Sequence, residues 1–533
     1  MKYNSFKLTL MLPLLALVVF SGCTKKLDLY PTNDLTNDKV FATPAGYKQA
    51  LAKVYGVMLT TGSQGAGSGD LPSQIISDPG NSDFFRNLWY LECLSTDEAG
   101  WTYHGNTDPI GIHQMNWTSV NFSVKCSYYR SFYAITLANN FITESSDENL
   151  SKRGISGKDA DDIKAYKEEA RFVRAYHYWV LMDLFGNPPL VTDSVTIGSK
   201  SFPKQVGRAG VFNFIESELT DLSSKLVAPK QNEYGRADQA AAWSLLARLY
   251  LNAQVYTGTA RYTDALTYCN KVIQAGYTLH PQFKELMLAD NHLNTDEFIW
   301  TAPYDGIATQ TYGGTTFLIH GPAGVPGDSS GCSGTWGCIR VTEQFVDLFD
   351  TKDIRGQFYT AGQNKIMTQL LDVATDGYSS TKFRNKTRSG LIAPNIDNGK
   401  TFSSIDMPIF RLAEIYLIYA EAVKRGGTGG DEATALGYLK QLAVRARPED
   451  PNAANAASVT LDYILSERGR ELMWEGHRRT DLIRYGQFTT GDYLWAWKGG
   501  VQSGTAVDSK YNLYPIPSDD LSANPSLVQN TGY

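Results

Sequence analysis

The sequence has little that would suit a nucleic-acid-binding protein or a familiar enzyme class. Its 533 residues include 49 Lys and Arg against 55 Asp and Glu, so the formal net charge is −6 and the chain offers no general attraction for phosphates. It contains no HExxH, Walker or EF-hand motif, so no sequence motif indicates those catalytic or metal-binding classes. What it has is a globular balance of 42% hydrophobic and 20% charged residues, with 31 Tyr and 10 Trp. Tyr and Trp combine an apolar face with a polar group, which suits partly hydrated binding surfaces.

Long hydrophobic runs are also scarce, and the longest is at the N-terminus. Residues 8–20 are apolar but are interrupted by Pro13, so the segment is too short to span a bilayer and predicts a secretory signal peptide over residues 1–22. The small residues Ser21 and Gly22 directly before Cys23 resemble the lipobox of bacterial lipoproteins. We therefore expect Cys23 to be acylated and the mature protein to be held on a membrane by lipid alone.

Cysteine is rare, with six residues in the chain. Cys332 and Cys338 flank the glycine-rich loop GCSGTWGC. Because an exported protein meets an oxidising environment, these two residues could form a disulfide, and two free thiols are the alternative. The spacing is not CxxC and no histidine follows nearby, so zinc is not indicated. We expect no cofactor; Asp and Asn residues scattered in loops are compatible with calcium but specify no site.

Helical periodicity dominates the chain. Thr43-Pro44 predicts an N-cap followed by proline in the first turn, and Gly186 predicts the end of a long helix. The predicted helices cover residues 43–59, 161–185, 209–226, 237–256, 262–275, 411–425, 432–446 and 460–475. Strand patterns are few, and residues 315–319 are one candidate. Long Gly/Ser/Thr/Tyr-rich stretches, of the kind that often carry function, cover residues 61–82, 95–120, 301–338 and 375–405.

One helix pair has a repeat pattern. Trp243, Leu246, Ala247 and Tyr250 match the first-helix pattern of a tetratricopeptide repeat, with Ala in place of Gly, and Ala265 follows in a second helix. The loop between the two helices is longer than the repeat allows, so the pair is tetratricopeptide-like rather than a consensus unit.

The block ERGRELMWEGHRR could suggest catalysis, since it contains His477 and three glutamates. Glu467, Glu471 and Glu475 are spaced at i, i+4. Arginines follow Glu467 at i+3 and Glu475 at i+3 and i+4, which is typical of ion pairs along a helix. We interpret the block as structural and His477 as a packing residue.

The order of motifs is more specific than any one of them. The C-terminal third reads PIFRLAEIYLIYAEA (408–422), LSERGRELMWEGHRRTDLIRYG (465–486) and YNLYPIPSDDLSANPSLVQNTGY (511–533). The N-terminal half adds LSTDEAGW (94–101) and ARFVRAYHYWVLMDLFGNPPLV (170–191). Together these blocks resemble the SusD/RagB family of Bacteroidetes outer-membrane lipoproteins over nearly the whole mature chain.

The resemblance implies a mainly α fold, with tetratricopeptide-like helix pairs on one side and an irregular, loop-rich ligand-binding side. It implies a region of residues 23–340 packed with a C-terminal region of residues 341–533 into one globular unit. It also implies capture of an oligosaccharide or polysaccharide at the cell surface and delivery to a SusC-like TonB-dependent transporter. Three alternatives remain. The protein could capture peptides, as in the RagB branch, it could be a hydrolase, or it could cap the transporter without making the main ligand contacts itself.

Ligand contacts are expected mainly in two loops, residues 97–106 and the glycine-rich loop of residues 331–338. The resemblance implies this, because members of the family carry an arc of aromatic residues on loops in these two regions. A sugar ring presents an apolar face and a rim of hydroxyls, so aromatic and polar side chains are needed together. Trp101 and Trp336 are the first candidates for stacking. The other candidates are Tyr103 and Tyr312 for stacking, and Asn106, Asp83 and Arg86 for the hydroxyls.

Overall fold

The structure is a computed structural model that describes residues 37–194, 202–373, 375–450 and 452–533. The predicted signal peptide (1–22) and the predicted acylation site Cys23 lie outside the described residues. None of the helices in the described ranges combines the length and the hydrophobicity that a membrane-spanning segment needs.

Helices dominate the described residues, so the prediction of a mainly α fold is confirmed. The first eleven are α1 (Asn37–Val40), α2 (Pro44–Gly56), α3 (Phe84–Trp89), α4 (Thr107–His113), α5 (Phe122–Glu144), α6 (Asp147–Lys152), α7 (Lys158–Phe185), α8 (Arg208–Lys225), α9 (Gln239–Leu251), α10 (Ala253–Thr257) and α11 (Tyr262–Gln274). The later ones are α12 (Gly314–His320), α13 (Gly327–Ser330), α14 (Glu343–Val346), α15 (Leu412–Lys424), α16 (Glu432–Ala446), α17 (Leu461–Leu472), α18 (Arg478–Arg484) and α19 (Ser518–Ala523).

Local sequence explains several helix ends. Thr43 is the N-cap of α2: its hydroxyl accepts a hydrogen bond from the Gly46 N–H at 3.2 Å, and Pro44 fills the first turn. Gly186 ends α7 with φ +72°, a conformation that glycine adopts without strain. These ends agree with the sequence prediction, whereas α5 was missed.

The long helices form a continuous stack in which each packs on the next: α5, α7, α8, α9, α11, α15 and α16. The tetratricopeptide-like pair is α9 and α11. Ala247 and Ala265 are buried in this pair, and Tyr250 stacks on Tyr268 with ring centroids 5.7 Å apart. Small residues let the helices approach closely, and the aromatic rings fill the remaining space.

The strands in the described ranges form three antiparallel pairs. They are β1 (Gly100–Trp101), β2 (Phe298–Ala302), β3 (Ile339–Arg340), β4 (Phe358–Tyr359), β5 (Ser379–Ser380) and β6 (Met407–Arg411), paired as β1–β3, β2–β6 and β4–β5. The β1–β3 pair positions the candidate site, because it joins the loop that carries Trp101 to the loop that carries Trp336.

The prediction of a strand at residues 315–319 is wrong, since this segment lies in α12. A short apolar run is compatible with a helix or a strand, so its tertiary contacts determine which one forms. Here the Asp83 carboxylate accepts the Gly314 N–H at 2.9 Å at the start of the helix. That partner is more than 200 residues away in sequence, so local pattern could not reveal it.

The glutamate block is structural, but it is not an exposed helical ladder. Glu467 pairs with Arg470 at 2.7 Å as predicted. Helix α17 ends at Leu472, however, so Glu475 loses the helical spacing and pairs with Arg411 and Lys382 instead. All three glutamates of the block are buried.

Candidate functional site

An open cavity of about 700 Å³ lies where the loop that carries Trp101 meets the loop that carries Trp336. Its wall includes Trp101, Tyr103, Asn106, Arg86 and Trp336, which are five of the seven predicted contacts. The remaining lining residues, which were not among the predicted ligand contacts, are Ser77, Asp78, Asn81, Gly105, Asp108, Phe122 and Cys338. The backbone closes one side, because the Thr102 N–H donates to the Cys338 carbonyl at 3.0 Å.

Trp336 is a half-buried aromatic residue of this cavity, with 39% of it exposed. Its indole is parallel to the His320 imidazole, with centroids 4.7 Å apart and 11° between the planes. The Arg86 guanidinium carbon lies 5.7 Å from the indole centroid. These contacts fix the orientation of the ring and leave part of it open to a ligand.

Trp101 lines the cavity but is only 2% exposed. Its Nε1–H donates to the Tyr103 carbonyl at 2.7 Å, and its ring meets Tyr90 edge to face at 5.7 Å. In this arrangement the ring is a packed anchor for the loop. Ligand contact at Trp101 stays a prediction, and it would be limited to the small exposed part of the ring.

The loop after Trp101 supplies more accessible groups. Tyr103 is 48% exposed, and its ring packs over Gly105, where an added Cβ would lie 2.4 Å from the tyrosine ring. Asn106 is the N-cap of α4: its Oδ1 accepts the Asp108 N–H at 3.3 Å. Its Nδ2 amide has no hydrogen-bond partner in the described part of the chain, so it is available to a hydroxyl group.

Arg86 supplies a cation at the base of the cavity. Its Nε donates to the Tyr90 hydroxyl at 3.0 Å and its Nη1 to the Tyr312 carbonyl at 3.2 Å. The guanidinium carbon lies 4.6 Å from the Phe317 ring centroid. Nη2 makes no hydrogen bond to any described residue, so Arg86 can donate to a ligand without giving up an internal bond.

Asp83 and Tyr312 do not line the cavity. Asp83 is 1% exposed, and its carboxylate accepts the N–H groups of Arg86 and Gly314 and the Thr311 hydroxyl, each at 2.9 Å. The prediction of Asp83 as a hydroxyl partner is therefore wrong, because its oxygens are used to cap α3 and α12. The Tyr312 ring packs against Phe402 at 5.5 Å and is 39% exposed, so its role as a ligand contact stays a prediction.

The sequence left a disulfide and two free thiols open for Cys332 and Cys338, and in the structure both residues are buried free thiols. The Cys332 thiol faces the carbonyls of Ile319 and Gly334, with the sulfur 3.4 Å from the latter. Cys338 instead lines the cavity next to Arg86. The loop is therefore held by hydrogen bonds and ring contacts.

Two acidic residues, three and four positions before Trp101, fix the loop to the C-terminal region. Asp97 accepts two hydrogen bonds from Arg478, at 2.8 and 2.7 Å, and one from the Tyr493 hydroxyl at 2.6 Å. Glu98 accepts the Trp474 N–H at 3.3 Å. Burial raises the pKa of Glu98 to about 8, because the ionised form would lose its hydration.

Replacing Glu98 by glutamine is expected to remove part of the pH dependence of stability. Between about pH 5 and pH 8 the folded protein keeps the Glu98 proton, whereas the unfolded chain loses it, so wild-type stability falls as pH rises through this window. Glu98→Gln does not titrate. As pH rises, the difference in free energy of unfolding between Glu98→Gln and the wild type should therefore grow in favour of the variant by up to roughly 1.4 kcal/mol per pH unit. Urea unfolding at both ends of the window measures this difference.

The exposed residue Glu432, which pairs with Lys424, provides the matched control. Glu432→Gln should show the same pH dependence as the wild type. A constant difference between Glu98→Gln and the wild type across the window would show that Glu98 is ionised in the folded protein.

The described residues contain no group of three or more His, Cys, Asp or Glu side chains that could hold a metal ion. The polar groups of the cavity are instead arranged for hydrogen bonding. Asp78 accepts the Asn81 backbone N–H at 3.2 Å and its side-chain amide at 2.5 Å, and the Asp108 carboxylate accepts the Phe122 N–H at 2.8 Å.

Sequence comparison identifies relatives over most of the chain. Residues 353–533 match the family model described as "SusD family", and residues 75–251 match the model described as "Starch-binding associating with outer membrane". The starch-binding protein SusD of Bacteroides thetaiotaomicron is 33% identical over 565 residues, which cover 96% of this chain and 96% of the relative.

Solved structures with the same fold include two surface glycan-binding proteins. Surface glycan-binding protein A from Bacteroides fluxus has a TM-score of 0.69 at 21% identity and covers 92% of this chain and 100% of that chain. Surface glycan-binding protein A from Bacteroides thetaiotaomicron, in complex with laminarihexaose, has a TM-score of 0.67 at 18% identity and covers 91% of this chain and 99% of that chain. At this level of identity the likeness shows the shared fold.

Proposed function

Because this chain belongs to the SusD family, we propose that it is a glycan-binding lipoprotein of the outer-membrane surface. Its cavity captures an oligosaccharide or polysaccharide, and the protein delivers this ligand to a SusC-like TonB-dependent transporter. The lipid on acylated Cys23 alone anchors the protein to the membrane.

The observation that carries the proposal is the position of Trp336 beside available polar groups. A pyranose ring needs a flat apolar surface for its C–H face and hydrogen-bonding groups around it. The indole supplies the first, while Asn106 Nδ2 and Arg86 Nη2 supply donors. The carboxylates of Asp78 and Asp108 supply acceptors for sugar hydroxyls.

The ligand class follows from the relatives. One relative is named as a starch-binding protein, so an α-glucan is the first ligand to test. A protein of the same fold was solved with laminarihexaose, so a β-glucan is the second. Ring stacking accepts either, because both present the same C–H faces.

Binding without turnover is part of the proposal. Asp78 and Asp108 both line the cavity, and a glycosidase needs two carboxyl groups across the scissile bond. Each of these carboxylates already caps local backbone, however, which favours a structural and hydrogen-bonding role. A hydrolase would release new reducing ends from the ligand, so the same samples test this alternative.

The test is calorimetric titration of the protein without residues 1–23 against maltoheptaose, laminarihexaose and a mixture of extended peptides. We expect binding to one of the glycans, no binding to the peptides and no new reducing ends after prolonged incubation. Binding of peptides alone would favour the RagB-type alternative, and failure to bind any glycan would contradict the proposal.

A further inference from the structure

His320 connects three parts of the site, although it does not line the cavity itself. It is the last residue of α12 and is 1% exposed. Its Nδ1 lies 2.5 Å from the Gly334 carbonyl oxygen, and its Nε2 lies 2.8 Å from the Thr401 carbonyl oxygen. Its own carbonyl accepts the Trp336 N–H at 2.5 Å, and its ring lies under the indole.

The two ring contacts determine where protons are needed. A carbonyl oxygen only accepts hydrogen bonds, so each ring nitrogen must donate. A neutral imidazole has one N–H, and its other nitrogen would place a lone pair against a carbonyl oxygen. The imidazolium has two N–H groups and satisfies both contacts, and hydrogen bonds from a charged donor are the stronger kind.

The charged form also suits the ring contact. A cation parallel to an indole is attracted by the negative face of the ring, most strongly when both are shielded from water. The end of a helix, where carbonyl groups point outward, favours a positive side chain as well. His320 meets both conditions.

We propose that His320 is a positioning residue that, as an imidazolium, ties the Gly334 and Thr401 segments together and holds Trp336 in its ligand-binding orientation. This inference rests on the proposed glycan-binding function of the cavity. When the His320 imidazolium loses one ring proton, one of its two hydrogen bonds to the Gly334 and Thr401 carbonyls is lost. The loop that carries Trp336 is then held less firmly, and glycan binding weakens.

The surrounding charges act in both directions. The titratable and charged side chains on the segments around α12 are Asp83, Arg86, Tyr90, Tyr304, Cys332, Cys338, Arg340, Asp397 and Lys400. Asp397 favours the imidazolium: its Oδ1 accepts the N–H of Thr401, the residue whose carbonyl faces Nε2. Arg86 opposes it, because its guanidinium carbon lies 5.7 Å from the centroid of the indole on which His320 stacks.

The first test observes the protons directly in the wild-type protein. Long-range ¹H–¹⁵N spectra distinguish protonated from bare ring nitrogens, and the chain has only seven histidines. Burial lowers the pKa of His113 to about 4 and that of His177 to about 3, so these residues provide the neutral reference. In spectra recorded at about pH 6 we expect an N–H signal on each ring nitrogen of His320, because each nitrogen faces a carbonyl oxygen. A bare nitrogen on His320 at this pH would overturn the proposal.

The second test links the protons to capture. His320→Gln, whose side chain has no charge, should bind the glycan roughly two- to tenfold more weakly than the wild type at about pH 6, the factor that one hydrogen bond contributes. As pH rises and the spectra show His320 losing its second proton, wild-type affinity should fall toward that of the variant, while the variant stays constant. A variant with wild-type affinity at pH 6, or with the wild-type pH profile, would overturn the positioning role.

The outcomes separate the two proposals. If no glycan binds, the proposed function fails, whereas the spectra still report whether His320 is an imidazolium. If His320→Gln does not fold, the wild-type pH profile of affinity, compared with the proton titration in the spectra, decides the role. An affinity that does not follow this titration would overturn it.

Discussion

Glu471→Gln is expected to lower the free energy of unfolding by about 3–5 kcal/mol, the largest stability effect we predict. Glu471 is completely buried and bridges three arginines. Its Oε1 accepts from Arg411 at 2.6 Å and from Arg445 at 2.5 Å, and its Oε2 accepts from Arg355 at 3.0 Å. Glutamine keeps the shape but removes the charge, so three buried cations lose their shared partner.

The electrostatic surroundings of Glu471 support this expectation. Burial alone would raise the pKa of this carboxyl group, but the guanidinium groups of Arg445, Arg411 and Arg355 hold the pKa well below its usual value. The ionised form is thus strongly preferred in the folded protein. Domain stability is commonly about 5–15 kcal/mol, so the loss would leave the protein close to unfolding at moderate temperature.

The measurement is chemical unfolding of Glu471→Gln beside Glu432→Gln. Glu432 makes the same type of ion pair, with Lys424 at 3.0 Å, but on the surface. We expect the surface variant to stay within about 0.5 kcal/mol of the wild type. Equal stability of the two variants would show that the buried arginines do not depend on Glu471.

Trp336→Ala is expected to abolish most glycan binding while the protein stays folded. Removing an aromatic surface that covers a sugar face costs about 1.5–3 kcal/mol, which corresponds to roughly a 10- to 150-fold loss of affinity. Because 39% of Trp336 is exposed, truncation should cost less stability than at the packed Trp101. Titration calorimetry and thermal unfolding on the same sample separate the two effects.

Phe202→Ala provides the matched control, since Phe202 is an exposed aromatic residue that does not line the cavity. It should bind the glycan like the wild type. Trp336→Phe keeps a smaller ring and should fall between the wild type and Trp336→Ala. Unchanged affinity in Trp336→Ala would exclude this cavity as the main contact surface.

The parts of the fold that could be predicted from sequence are those with local causes. Thr43 caps α2 through a neighbour three residues away, and Gly186 ends α7 through its own backbone conformation. The β2–β6 pair could not be predicted in this way, because Phe298 pairs with Arg411 across more than 100 residues. Asp83 shows the same limit, since Thr311 and Gly314, two of its three partners, lie far away in sequence.

The candidate site was predictable to a similar extent. Residue types in glycine-rich loops, together with the family resemblance, pointed to Trp336, Tyr103 and Asn106, and Arg86 was a further candidate. The structure places all four around one cavity. The burial of Trp101 depends on its β1–β3 pairing and its packing against Tyr90, which no local pattern shows. Asp78 and Asn81, in a turn near Asp83, were missed because nothing in the sequence links that turn to the later loops.

The most direct test of the proposed capture site is a crystal structure of the protein with the glycan that binds in the titration. We expect a sugar ring in contact with the Trp336 indole, within about 4.5 Å, and hydroxyls bonded to Asn106 Nδ2 or Arg86 Nη2. A glycan bound elsewhere, for example in the separate groove that includes Gln205, Lys510 and Gln529, with the Trp336 cavity empty, would contradict the assignment.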